Sequence, residues 1–140
     1  MIIGIGTDLL DTRRIEKIIG VHPIRFLDKY FTAAEIEKYH ERKKAGTHIL
    51  YLTSRFAAKE AVSKALGTGF QGGLSMKDIE IGNDDKGKPY VVLHDEAYRI
   101  LEKLTPDGIE SHLHITLTDE VPYAQVFVVI EAISGQLAEN

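Results

Sequence analysis

Cysteine is missing from the 140 residues of the chain. Its absence excludes disulfides, thiolate metal sites and cysteine nucleophiles. The sequence also has no apolar run as long as a membrane span, and Asp8 interrupts the first apolar segment too early for a secretory signal peptide. We therefore expect no membrane association and a cytoplasmic location. Any chemistry must come from carboxylates, lysine, histidine or hydroxyl groups.

Basic residues are not in excess either, because the chain has 17 Lys and Arg and 21 Asp and Glu, which gives a net charge of −4. This balance argues against a general nucleic-acid-binding protein. The charge is uneven, however. Residues 12–29 carry five basic and two acidic side chains, so this segment has a charge of +3 and the remainder −7. A basic segment on an acidic protein is typical of a docking surface for an acidic partner, although scattered surface charges explain it equally well.

The length and the 44% hydrophobic composition predict one globular domain over residues 1–140. Residues 48–66 contain neither Pro nor Gly and predict a long helix. A strand precedes several helices, and two pairs of β-rich segments follow, which favours an α+β fold with a mainly antiparallel sheet packed on a long central helix. The other predicted elements are a strand at 2–9, a helix at 12–19, a capping box at Thr32–Glu35, a hairpin at 78–82 and 89–93, a helix at 94–104, and a hairpin at 112–118 and 123–131.

The first predicted strand places Gly4, Gly6 and Asp8 on one face, opposite Ile3 and Ile5. Two interpretations are open. The glycines could clear space in front of the Asp8 carboxylate for a metal or a phosphate. Alternatively, they could allow close packing of another element, with Asp8 only ending the strand; from this segment alone we favour that second interpretation.

The long helix carries a second candidate site. Arg55 and Lys59 are four residues apart, so they lie side by side and repel each other unless an anion such as phosphate lies between them. Glu60 precedes Lys64 by four residues, which is the spacing of a simple surface ion pair. The glycines at 67 and 69 follow a helix instead of preceding one, so they predict a helix C-terminus and not a P-loop.

Two further segments carry weaker signals. Lys88 and Pro89 follow a glycine in a predicted hairpin turn. His112 and His114 share one face of a predicted strand, where they could hold a metal, but no third ligand has a fixed spacing to them.

Taken together, these segments resemble the holo-[acyl-carrier-protein] synthase family of phosphopantetheinyl transferases. The resemblance covers about residues 1–131 and rests on an ordered set of motifs, with Thr116 standing where the family commonly has Ser. The motifs are Gly4–Asp8, Arg55–Ala61, Lys64–Gly69, Asp78–Ile81, Gly87–Pro89 and His114–Glu120.

The resemblance implies an α+β phosphopantetheinyl transferase fold and a Mg²⁺-dependent enzyme of fatty acid biosynthesis. Such an enzyme moves the 4′-phosphopantetheine group of coenzyme A to a serine of an apo acyl carrier protein and releases adenosine 3′,5′-bisphosphate. The resemblance implies that Asp8 and Glu60 are the metal ligands and that Lys64 is a catalytic residue together with them. The general base for the attacking serine is either Glu60 or a metal-bound water, and the sequence does not decide between them. The coenzyme A site is expected to comprise Arg55, Lys59, Lys64, Gly67, Gly69, Lys88, Pro89 and His114.

The resemblance also implies a homotrimer with active sites between subunits, for which the small residues of the long helix and the segment 123–130 are candidate interfaces. It implies that Arg14 and Arg25 dock the acidic carrier protein. Two other functions stay open: a non-catalytic binding module that keeps the fold, and a metal hydrolase built on His112 and His114.

Overall fold

The computed structural model describes residues 1–134. Two antiparallel sheets and five helices make up this part of the chain, with no helix in it long and apolar enough to cross a membrane. In chain order the elements are β1 (Ile2–Asp11), α1 (Thr12–Val21), α2 (Pro23–Tyr30), α3 (Ala33–Lys44), α4 (His48–Leu66), a 3₁₀ turn (Met76–Asp78), β2 (Ile79–Asn83), β3 (Pro89–Leu93), α5 (Asp95–Leu104), β4 (Ile109–Glu120) and β5 (Tyr123–Ser134).

Local sequence signals set most helix ends. The Asp11 side chain caps α1 by accepting a hydrogen bond of 2.8 Å from the Arg13 amide. The capping box predicted at Thr32 and Glu35 begins α3, and Gly67 ends α4 in the left-handed conformation. The helix predicted at 12–19 continues for two further residues, to Val21.

The larger sheet has the strand order β1-β5-β4, and the smaller one pairs β2 with β3. Helix α4 packs on the inner face of the larger sheet and is buried along most of its length. This arrangement confirms the predicted α+β fold with antiparallel sheets on a long central helix.

The small residues of α4 pack inside the subunit, so the prediction that they form a subunit interface is wrong. A Cβ on Gly6 would overlap the carbonyl oxygen of Ala61, and a Cβ on Gly4 would overlap that of Ala65. The glycines therefore permit close approach of β1 to α4, as the favoured interpretation predicted. They do not clear space for a ligand.

The apolar face of β1 points away from α4. Ile5 is 63% exposed, and Phe127 on the neighbouring β5 is 47% exposed. Thr7 pairs with Phe127, which in turn pairs with Thr116 of β4. The outer face of the larger sheet is thus partly apolar and has nothing packed on it within residues 1–134.

Candidate active site

Asp8 and Glu60 are brought together by the close crossing of β1 and α4. Two residues along a strand span nearly the same length as four residues along a helix. Gly4 faces Ala65 and Gly6 faces Ala61, so the two elements run in opposite directions. The next inward position of β1, Asp8, therefore lies beside the preceding turn of α4, close to Glu60.

The electrostatics of Glu60 reflect this proximity. Burial raises the pKa of the Glu60 carboxyl above its ordinary value, and the negative charge of Asp8 raises it further. The positive charges of Lys64 and Arg14 lower this pKa in part. Two carboxylates and two cations thus share one small region of the surface.

Lys64 pairs with Asp8 and not with Glu60. Its Nζ lies 3.2 Å from Oδ1 of Asp8 and donates a hydrogen bond of 2.9 Å to the carbonyl oxygen of Thr7. The surface ion pair suggested by the spacing of Glu60 and Lys64 is therefore wrong. Helix α4 instead directs its lysine toward β1, so Lys64 and the two carboxylates form one cluster.

The chemistry of this cluster fits a Mg²⁺ ion. Mg²⁺ binds through one or two carboxylates and completes its octahedron with water and substrate phosphates. Asp8 and Glu60 supply two carboxylates that repel each other when both are ionised. Within residues 1–134, no group of three or more His, Cys, Asp and Glu side chains converges to form a closed metal site. Two acidic ligands leave positions for phosphate oxygens.

A second cluster surrounds Arg55, which lies five residues before Glu60 and on the opposite side of α4. The guanidinium of Arg55 is buried, donates a hydrogen bond to Oδ1 of Asn83, and lies 4.8 Å from the ring centroid of Tyr51. Its Nε has no hydrogen-bond partner, and no acidic side chain pairs with it in the part of the chain that the structure describes. A buried cation with an unused donor is suited to an oxyanion such as phosphate.

This cluster opens into a cavity of about 380 Å³, which we call the Arg55 cleft. Its lining includes Arg55 and Tyr51 from α4 and the predicted nucleotide residue Pro89 from β3. The remaining lining residues are Arg42, Thr47, Leu50, Ser54, Asn83, Gly87, Thr116, Leu117, Thr118 and Asp119.

Lys59 does not share an anion site with Arg55, contrary to the prediction from their spacing. It is 0% exposed, and its Nζ lies 2.7 Å from Oε1 of Glu35. Burial lowers the pKa of Lys59 despite this pair. The prediction that Lys59 holds a coenzyme A phosphate is incompatible with this placement, because the ammonium group has no path to a surface ligand.

Comparison with known proteins agrees with this geometry. The sequence profile described as the 4′-phosphopantetheinyl transferase superfamily matches residues 4–118. The chain belongs to the 4′-phosphopantetheinyl transferases. It is 45% identical over 133 residues to holo-[acyl-carrier-protein] synthase of Brucella ovis, covering 95% of this chain and 97% of that protein.

Solved structures of this transferase family share the fold. The synthase of Neisseria meningitidis superposes with a TM-score of 0.80 at 36% identity, covering 94% of this chain and 99% of that one. A synthase from Bacillus anthracis, solved in complex with CoA (3′,5′-ADP), superposes with a TM-score of 0.73 at 31% identity, covering 96% and 99%. The resemblance to holo-[acyl-carrier-protein] synthases and the assignment as an enzyme are confirmed.

Within one subunit of this transferase, the predicted site residues fall into separate groups. Asp8 faces α4, whereas His114 is exposed on the outer face of the same sheet, where its Nε2 lies 3.2 Å from Oε1 of Glu131. Gly67 and Gly69 follow Lys64 at the end of α4, as a helix cap predicts. Lys88 is exposed beside Pro89, near the Arg55 cleft.

Sequence reasoning missed the residues that hold Arg55 in the transferase. Asn83 directly follows the predicted strand 78–82, where an asparagine indicates only a turn. Its side-chain amide also donates a hydrogen bond of 2.9 Å to the Gly87 carbonyl oxygen. Tyr51 lies one helical turn before Arg55, so the 3.6-residue period already placed both on one face. Arg42, in the last turn of α3, had no signal in the sequence, because only the packing of α3 on α4 brings it to the cleft.

The predicted docking arginines lie at different distances from the carboxylates. Arg14 of α1 is exposed and near enough to Glu60 to lower its pKa. Arg25 of α2 is exposed and exerts no such effect. Between them Ile18 and Ile24 are exposed, Ile24 by 73%. The basic segment therefore presents apolar side chains together with its positive charge.

Proposed function

We propose that the chain transfers the 4′-phosphopantetheine group of coenzyme A to a serine of an apo acyl carrier protein, with Mg²⁺, releasing adenosine 3′,5′-bisphosphate. The observation that carries this proposal is the convergence of Asp8, Glu60 and Lys64 in a member of the transferase family. We further propose a cytoplasmic location, and a role in fatty acid biosynthesis, which the resemblance to holo-[acyl-carrier-protein] synthases implies.

The reaction needs little beyond positioning and charge. The serine Oγ forms a bond to the phosphorus of the phosphopantetheine group, and the pyrophosphate P–O bond to the adenosine bisphosphate breaks. The serine proton leaves to a base. A Mg²⁺ ion held by Asp8 and Glu60 would neutralise charge on the phosphates. Lys64, which lies beside Asp8, would bind an oxygen of the departing phosphate.

Coenzyme A would bind across two subunits. Residues 55 and 60 are about 140° apart around a helix, so the Arg55 cleft and the carboxylates of one chain face apart. A neighbouring subunit would bring its Arg55 cleft, with Lys88, Pro89 and His114, to the carboxylates of the first. The exposed apolar face of the larger sheet, including Ile5 and Phe127, supports a homotrimer that buries it.

The carrier protein would dock on the basic segment. Its acidic surface would meet Arg14 and Arg25, and its apolar side chains would meet Ile18 and Ile24. Because Arg14 also lies close to Glu60, a carrier bound there would present its serine near the metal ligands.

The test uses purified protein, Mg²⁺, coenzyme A and a competent apo carrier protein, followed by mass spectrometry. A carrier heavier by one phosphopantetheine group is expected, and no mass shift would reject the proposal. Sedimentation tests the trimer, and an active monomer would contradict it. A non-catalytic module would keep its binding function in Asp8→Ala and Glu60→Ala variants, whereas the transferase would lose activity in both.

A further inference from the structure

Lys59 is a buried lysine whose hydrogen bonds are all made to other elements. Besides the 2.7 Å hydrogen bond to Glu35, its Nζ donates a hydrogen bond of 3.0 Å to the carbonyl oxygen of Met76 and one of 2.6 Å to that of Ile79. An ammonium group has three donors, so Lys59 is saturated. Two of the three bonds go to main-chain carbonyls, and their geometry therefore fixes backbone and not only side chains.

Both carboxylate oxygens of Glu35 are hydrogen-bonded as well. Its Oε1 accepts from Lys59 and, at 2.9 Å, from the Thr32 amide, while Oε2 accepts from the Ile81 amide at 3.1 Å. The pair therefore joins the start of α3, the middle of α4, the 3₁₀ turn and β2. We call Lys59, Glu35 and these bonded main-chain groups the Lys59 hub.

The segment 76–83 that the hub holds contributes to the surroundings of both clusters described above. Met76 lines a pocket of about 500 Å³ that is also lined by Glu60 and Phe56. At the other end of the segment, Asn83 accepts the hydrogen bond of Arg55. Lys59 lies between Arg55 and Glu60 on α4, so its bonds set the distance from α4 to a backbone segment that borders each cluster.

We propose that Lys59 and Glu35 are positioning residues for coenzyme A. Their hydrogen-bonded pair holds segment 76–83 at the distance from α4 at which Asn83 orients Arg55 and Met76 borders Glu60. This inference rests on the proposed transferase function. It assigns to a buried ion pair an effect on substrate binding that is separable from its contribution to folding.

The test replaces both partners at once, in the double variant E35M/K59M. Removing one partner would leave an unpaired buried charge, whereas exchanging a buried ion pair for apolar residues of similar volume is often neutral for stability. The double variant has no unpaired buried charge, but it leaves the Met76 and Ile79 carbonyls and the Thr32 and Ile81 amides without their partners, so it should fold with a lowered melting temperature. Its KM for coenzyme A and its calorimetric Kd for adenosine 3′,5′-bisphosphate should rise about tenfold, because Arg55 loses its fixed orientation. The KM for the carrier protein should stay unchanged.

A second neutral variant, E35Q/K59Q, is measured if the first does not fold. It retains a polar pair, but glutamine is too short to reach the Met76 and Ile79 carbonyls, so the same rise in KM is expected. Val128→Ala is the matched control, since it removes buried methyl groups on β5 without touching segment 76–83. Nucleotide affinity equal to wild type in a folded neutral variant would overturn the inference, as would an equal rise in KM in Val128→Ala. Absence of transfer by the wild type would instead reject the proposed function.

Discussion

Gly6 of β1 lies so close to Ala61 of α4 that a Cβ on the glycine would overlap the alanine carbonyl oxygen. Through this contact, the packing of the core sets the separation of Asp8 and Glu60. A disturbance of the glycine should therefore disturb the carboxylates, although neither acid is altered.

Gly6→Ala is expected to destabilise the protein by about 1–3 kcal/mol, because β1 must move away from α4. It should also weaken Mn²⁺ binding, since Asp8 moves with the strand. Chemical denaturation and Mn²⁺ titration measure the two effects. Gly20→Ala is the control, because a Cβ there meets nothing within 4 Å and the residue lies in α1. That variant should gain roughly 0.5–1 kcal/mol of stability.

Asp8→Asn and Glu60→Gln should each lower kcat/KM for transfer by about 10²-fold or more, because each removes one of the two carboxylates that we propose as metal ligands. Steady-state assays at saturating Mg²⁺ and coenzyme A measure the loss. Glu102→Gln on the exposed surface of α5 serves as the matched control and should retain full activity. Wild-type rates in either site variant would show that the pair does not hold the metal.

Glu60→Gln should also stabilise the metal-depleted protein at neutral pH. The folded-state pKa of Glu60 lies above its ordinary value of 4.5, so ionisation costs folding free energy as pH rises between the two values. The stabilisation by glutamine should therefore be complete above the folded-state pKa and disappear below pH 4.5. Melting temperatures of both proteins in EDTA across this range test the sign. A lower melting temperature for the variant at neutral pH would contradict it.

Lys64→Met should separate metal binding from transfer. The ammonium group lies 3.2 Å from Asp8, so its removal leaves a more negative site. Mn²⁺ should bind the variant more tightly in the absence of coenzyme A, while kcat should fall because the cation that we propose for the departing phosphate is removed. Calorimetry and single-turnover assays measure the two quantities. Weaker metal binding by Lys64→Met would show that the Asp8 pair does not compete with the metal.

Arg25→Glu is the cleaner test of carrier docking. Arg14 lowers the pKa of Glu60 and a charge reversal there would change the metal site too, whereas Arg25 exerts no such effect. The KM for an acidic carrier should rise about tenfold and become less salt-dependent, with the KM for coenzyme A unchanged. Lys103→Glu on α5 makes the same charge change away from the basic segment and should have no effect. Unchanged carrier KM in Arg25→Glu would place docking elsewhere.

The sequence by itself determined the local elements and the family. Residues 48–66 form α4 as their composition predicts, and Thr32 and Glu35 cap α3 as their spacing predicts. These features depend on interactions within about four residues, so helical period and capping chemistry suffice. The ordered motifs also pointed to the transferase family, which the comparisons confirm.

Only the tertiary structure decided the roles of the charged residues on α4. Lys59 and Arg55 are one turn apart on the helix, yet Lys59 forms a buried ion pair with Glu35, whereas Arg55 lines a cleft. Lys64 turns to Asp8, 56 residues away, and not to Glu60. Helical spacing specifies which side chains share a face, but not which element packs against that face. That choice depends on contacts between distant segments, and it separates the buried Lys59 from Lys64, which lies at the candidate active site.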